Sequence, residues 1–297
     1  MGWKLASVIK GQSHRSLLKT YQTERRKIAQ DLIDFDHKFS RLFSGRPSKD
    51  LLDKEGIDLK QFKQVFETGN LFANGTGVNY HGSVIVAKEA SASVSAARGN
   101  DAVETGTPPD TDVVSKQQLA TGILIGMRMP SFKVLNQCDA RPWELQELLP
   151  SNGCWRIIVF AGDIRSKQQL ARVVALGQAL SSVDSFLRRY TPSTDKIDSV
   201  FEILTIHSAP RTAIDLLSLP DIFHPFSADD GWDYWKVYVD DQSYHEGHGH
   251  AYQNYGIDPA TGCVAIIRPD QHVSWIGDLE DVHAMNRFFG AFMIPQE

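Results

Sequence analysis

The stretch at residues 155–160 constrains the fold more than any other. It is an apolar run rich in β-branched residues, the pattern of a central strand buried on both faces. Residues 166–190 follow with Leu170, Val173, Val174, Leu176, Leu180 and Leu187 at helical spacing, and residues 201–207 supply a second strand. Strand, helix and strand in that order predict a parallel pair joined by a right-handed crossover. Residues 235–239 read as a third strand, followed by a histidine-bearing loop and a short helix near residues 251–255. Residues 264–268 and 272–276 flank a Pro269-Asp270 turn and form a hairpin, and residues 281–293 close as a helix. The fold class is α/β, and the order of elements predicts a thioredoxin-like layer of sheet and helices.

Upstream of this unit the pattern differs. From Ser16, a candidate N-cap, the residues Leu17, Tyr21, Ile28, Leu32, Phe35, Phe39 and Leu42 recur at steps of three and four, one face of a long helix that Gly45 and Pro47 stop. Little that precedes this stripe could cover it. Residues 51–68 read as a shorter helix carrying Leu59, Phe62, Val65 and Phe66, and residues 84–86 as a short strand. Residues 90–112 are almost all Ala, Ser, Gly, Thr, Pro and acid, which predicts an exposed linker. The expected division is therefore 1–89, a remnant of another domain; 90–118, linker or mobile loop; and 119–297, the thioredoxin-like domain.

The bulk properties set the compartment and exclude some partners. With 42% hydrophobic and 23% charged residues over 297 positions, the chain has globular composition and room for two ordinary domains. No apolar run reaches bilayer length and no signal-peptide pattern opens the chain, so the expected location is cytoplasmic. The net charge of -5 hides an asymmetry: the first 49 residues carry 11 Lys+Arg against 4 Asp+Glu, the rest 20 against 32. Asp31, Asp34 and Asp36 break up the basic helix, so it reads as a solvated or domain-facing helix, with no nucleic acid and no membrane expected as partner.

Several segments carry a family resemblance. Gly2-Trp3-Lys4-Leu5-Ala6 with Tyr21, Glu24, Arg25 and Arg26 resembles a helix pair of FAD-dependent aromatic hydroxylases. Leu32-Ile33-Asp34-Phe35-Asp36, Phe39 to Gly45, Tyr255-Gly256-Ile257-Asp258 and Arg268-Pro269-Asp270-Gln271 with Val273-Ser274 are similar to its phenol 2-monooxygenase branch. The resemblance implies a C-terminal portion of such an enzyme, with a thioredoxin-like domain associated with homodimerisation. It further implies FAD and NADPH as the full-length cofactors, and a phenolic substrate hydroxylated ortho to its own hydroxyl. The dinucleotide fingerprint is missing: the near match at residues 75–80 lacks the third glycine and the strand-turn-helix context. The expectation is that this chain alone neither binds FAD nor hydroxylates. The alternative is a non-catalytic thioredoxin-like module for dimerisation or partner docking.

No catalytic, cofactor-binding or metal-binding residue is assigned. A redox thioredoxin needs a low-pKa thiolate after the first strand, where this chain has Gly162 to Lys167; Cys138, Cys154 and Cys263 lie elsewhere, and Pro259 sits several residues ahead of the later strand. His245, Glu246, His248 and His250 could in principle ligate a metal, but their glycine-flanked spacing reads as a structural loop. Asp240 and Asp241 read as solvated loop carboxylates. Trp232, Tyr234, Trp235, Phe223 and Phe226 read as core or interface.

Overall fold

The computed structural model describes residues 1–44, 63, 66–67, 69–70, 75, 77–88, 113–244 and 247–297. The helix expected at 51–68 lies almost wholly outside these residues, and so does the linker expected at 90–112.

A seven-stranded mixed sheet organises the chain, in the order β2-β1-β7-β4-β3-β8-β9. Its centre is β3 (Trp155–Gly162), every residue of which is buried. Side chains alternate across a strand, so Trp155 and Phe160 face opposite covers. Trp155 packs on Phe288, Phe289 and Phe292 of the C-terminal segment, whereas Phe160 packs on Tyr252 and Tyr255. This double cover is why the strand reads as an apolar run and does not alternate. β3 pairs in parallel with β4 (Phe201–His207), which pairs in parallel with β7 (Val237–Val239). On its other side β3 pairs antiparallel with β8 (Cys263–Ile267), and β8 with β9 (Val273–Gly277). The run β4-β3-β8-β9 is the strand order expected of a thioredoxin-like layer.

Helix α3 (Lys167–Ser181) connects β3 to β4, opened by Ser166, whose hydroxyl accepts the Gln169 N–H. The single helix expected over 166–190 is two. Ser182 turns extended, and a second helix, α4 (Phe186–Tyr190), starts after Ser185. By length and composition residues 167–190 together are apolar enough to span a bilayer, a match the sequence reading did not find. Val173, Leu176, Leu180, Phe186 and Leu187 are nevertheless buried in the core. α5 (Ala251–Tyr255) ends on Gly256 at φ 64°, a left-handed cap suited to glycine. α6 (Val282–Gly290) is shorter than expected because residues 291–292 form a turn and Met293 bridges to Ser13.

Strands β1 (Lys133–Asn136) and β2 (Pro142–Glu144), and the small hairpin of β5 (Phe226–Ser227) and β6 (Gly231–Trp232), carry no sequence-level expectation. Val84 and Ile85, expected in a strand, form a turn closed by a Ser83–Val86 bridge. The segment caps the sheet edge instead of extending it, since Ala87 N–H and Ser274 Oγ bond across to Ser274 O and Ile85 O. At the N-terminus α1 (Gly2–Ile9) leads through a tight turn at Arg15–Leu18 into α2 (Lys19–Ser44), so Ser16 lies within that turn and does not cap the long helix.

Candidate functional site

The densest cluster of buried charge lies at the β8–β9 turn, where α1 and α2 meet the sheet. The expected strand 264–268 stops at Ile267, leaving Arg268 as the first turn residue, 1% exposed in its side chain. Its guanidinium takes two carboxylates at once. NH1 reaches Glu24 Oε1 of α2 at 2.6 Å, and Nε and NH2 reach Asp270 at 2.9 and 2.7 Å. Glu24 Oε2 also accepts from Lys4 Nζ of α1 at 2.7 Å, and Lys4 donates in turn to Thr20 Oγ1 at 2.7 Å. Trp3 donates its indole N–H to Asp270 at 2.9 Å. The cation of Arg268 lies between the Trp3 and Tyr80 rings, 5.5 and 5.0 Å from their centroids.

Two cations and two carboxylates thus close a neutral set whose hydrogen-bonding groups are shared among three elements. Burial works to raise the Asp270 carboxyl, but the hydrogen bond from His272 and the Arg268 charge hold it well below the usual carboxylate range. Burial pushes Lys4 down, with Glu24 opposing. For Arg268 burial is outweighed by Asp270 and Glu24, which keep the guanidinium charged. Such a set is worth little net against an apolar packing of the same volume, but it tolerates no missing partner. Two backbone links fasten the same region: His14 N–H to Phe292 O and Ile294 N–H to Gln12 O. Trp3, Lys4, Glu24, Arg268 and Asp270 all lie in the segments that carry the family resemblance, and the fold brings them together.

The opposite end of the sheet is where a redox thioredoxin would act. There Gly162 sits at φ 74°, and an added Cβ would meet Pro259 O at 2.5 Å, so the Pro259 loop lies directly on the end of β3. Asp163 N–H donates to Pro259 O, and the Asp163 carboxylate pairs with Arg165. The three cysteines are apart: Cys138 exposed, Cys154 half-buried with Sγ donating to Ser199 O, Cys263 buried. Burial pushes all three thiols up, away from the reactive range.

His207, at the end of β4, is fully buried with Nε2 at 2.9 Å from Gln137 Oε1, and burial lowers its pKa to about 4. Asp240, expected as a solvated carboxylate, accepts the N–H groups of Ala251 and Tyr252, and Asp241 accepts that of Arg211. Both are spent on backbone. Of the histidine loop, His245 and Glu246 lie outside the described residues; His248 is buried with Nδ1 bonded to Ser243, and His250 precedes α5. No group of three or more metal-ligating side chains comes together among the described residues.

The near match to a dinucleotide turn does not fit a pyrophosphate. Gly75 and Gly77 lie in turns, residues 78–80 follow without a helix, and Tyr80 N–H is taken by Gly126 O. No chemical step is assigned to FAD at this stretch.

The charged set of Lys4, Glu24, Arg268 and Asp270, a clasp between the N-terminal helices and the β8–β9 turn, spans two segments that known proteins match separately. Residues 78–297 match the family model described as phenol hydroxylase, C-terminal dimerisation domain, and residues 1–36 match that of an FAD binding domain. The chain is 37% identical to the FAD-dependent monooxygenase terD of Aspergillus terreus (99% of this chain, 44% of that protein). It is 35% identical to the phenol 2-monooxygenase fsqG of Aspergillus fumigatus (100% and 44%). With 3-hydroxybenzoate 4-monooxygenase of Comamonas testosteroni the figure is 34% (99% and 42%). The chain spans less than half the length of these relatives. Glu24 and Arg268 therefore join the two matched segments, and the chain belongs to the phenol hydroxylase family, whose C-terminal dimerisation domain it carries.

Proposed function

We propose that this chain is the dimerising C-terminal portion of an FAD- and NADPH-dependent aromatic hydroxylase of the phenol 2-monooxygenase type, acting on a phenolic substrate. The observation that carries the reading is the clasp. A match to an FAD-binding model that stops at residue 36 is locked by Glu24, Lys4 and Trp3 onto the β8–β9 turn of the dimerisation unit. In this reading the flavin and the reacting phenol are held by a flavin-binding body that packs on α1 and α2. The chain's own part is to fix that body to a dimer and thereby hold its geometry. Leu5 and Ile9 on α1, and Tyr21, Leu32 and Ile33 on α2, are exposed apolar groups available to it. The division of the chain belongs to the same proposal: residues 78–88 and 113–118 pack on the sheet and go with the C-terminal unit, and residues 1–44 go with the flavin-binding body.

The test is reconstitution. Co-expression with the flavin-binding half of terD should give a yellow complex that oxidises NADPH faster when a phenol is added, while this chain alone stays colourless on titration with FAD. Stoichiometric flavin on the isolated chain would overturn the assignment of flavin binding to another polypeptide segment. A co-purified pair without flavin or phenol-stimulated NADPH oxidation would overturn the enzyme reading.

A further inference from the structure

We infer that an aromatic patch at the β2 edge of the sheet, centred on Trp143 and Trp235, is the surface through which two copies of this chain associate. The inference rests on the dimerising role proposed above and adds the place. Trp143 stands on the edge strand β2, edge-on to Trp235 with ring centroids 6.0 Å apart, and the Arg141 guanidinium lies over the Trp143 ring at 4.3 Å. From Trp235 the patch runs back along the chain through Tyr234 to Trp232, which packs on Phe226 at 5.2 Å. In the single copy Trp235 is 50% exposed, Tyr234 44% and Phe226 60%. Tryptophan, tyrosine and phenylalanine beside an arginine is the composition that dominates binding energy in protein interfaces.

Three features commit the patch to a second copy. First, Arg141 and Asp139 are both exposed beside it, so the surface carries both signs, and a two-fold arrangement can set unlike charges against each other. Around the exposed apolar groups Leu5, Ile9 and Tyr21 of the N-terminal helices, by contrast, the exposed charges close in sequence are Lys10, Lys19, Arg25 and Arg26, and two copies meeting there would oppose like charges. Second, the far edge of the sheet is already covered: β9 accepts from Ala87, Lys116 and Gly126 N–H groups, leaving β2 as the open edge among the described residues. Third, that open edge is built for side chains and not for strand addition. Arg141 O and Leu145 N–H bond inward to β1, so by the antiparallel alternation Pro142 and Glu144 face outward, and Pro142 has no N–H to offer. The copies meet through their aromatic rings, without a continuous sheet.

Sedimentation equilibrium of the purified chain over a range of concentrations tests this. The unaltered chain should be a dimer. Trp235→Glu, and separately Phe226→Glu at a more exposed position, should each weaken self-association by 100-fold or more while circular dichroism and melting stay those of the parent. Leu5→Glu with Ile9→Glu should leave the dimer intact. A dimer indifferent to both patch variants overturns the location and leaves the dimerising role standing; a monomeric parent chain overturns both. Should either variant lose its fold, hydrogen exchange on the parent decides: amides of Arg141, Trp143 and Glu144 and of residues 232–235 gain protection with concentration if the patch is the interface, and the inference fails if they do not.

Discussion

The two ends of the sheet hold their ionisable groups in opposite ways. At the N-terminal end of β3, Arg268, Glu24, Lys4 and Asp270 are charged and paired across elements far apart in sequence. At the C-terminal end, His207 is buried neutral, and Asp240, Asp241 and the Tyr252 hydroxyl are taken up by nearby backbone. In a redox thioredoxin the second end does the chemistry. Here that end is sealed, and the first, which joins the helices to the sheet, holds the demanding interactions.

The largest effect should come from breaking the clasp on one side. Arg268→Met leaves Glu24, buried, and Asp270, half-buried, without their shared cation and should cost about 3–5 kcal/mol in urea unfolding. Replacing the connected charges together, as Lys4→Met, Glu24→Leu, Arg268→Met and Asp270→Asn, should recover most of that loss, because a complete buried set contributes little net. Hydrogen exchange should rise across α1 and the first turns of α2 in the single variant. A single variant within 1 kcal/mol of the parent would mean that the aromatic contacts and terminal backbone links, not the charges, hold the helices down.

Acid should separate the two ends next. The folded pKa of His207, about 4, lies below an ordinary unfolded value of about 6.5, so the unfolded chain binds the proton more readily. Stability is therefore full above pH 6.5 and falls as the pH drops, by about 3 kcal/mol at pH 4. Asp270 behaves in the other order: its depressed carboxyl keeps its contribution until the pH falls below the normal carboxylate range. His207→Asn should flatten the slope between pH 6.5 and pH 4 in thermal melts and leave the steeper loss below it. An unchanged slope would assign the acid sensitivity to groups other than His207.

What could be read from the sequence follows from what each element needs. The strands β3 and β4, the helix between them, the hairpin of β8 and β9 and the helix after it are legible because burial on a fixed face imposes a period on many residues in a row. Strand β1, with Lys133 and Asn136 at its ends, and β2, with a proline in three residues, are too short to show a period and exist because β7 offers them an edge. The break at Ser182 was hidden because Phe186, Leu187 and Tyr190 return to the same core after it. The clasp was illegible for a different reason. Its partners, Glu24 and Arg268, stand 244 positions apart, and only the folded chain says that the turn carrying Arg268 points at α2.

The smallest effect tests whether the sealed end is held as locally as it looks. Asp240 supplies both oxygens to the start of α5, at 2.9 Å to Ala251 N–H and 2.8 Å to Tyr252 N–H, and α5 in turn places the Tyr252 hydroxyl between Gly162 N–H and Ile206 O. Asp240→Ala removes a cap, a loss of about 1 kcal/mol. Because α5 is only five residues long and owes its start to that carboxylate, the loss should appear as faster exchange of the amides at residues 252–256 and of Gly162. The amides of α1 and of the β8–β9 turn should not change, since no partner is shared between the two ends. Faster exchange at Trp3 or Arg268 in this variant would show that the ends are coupled through β3 and that the contrast between them is one of degree.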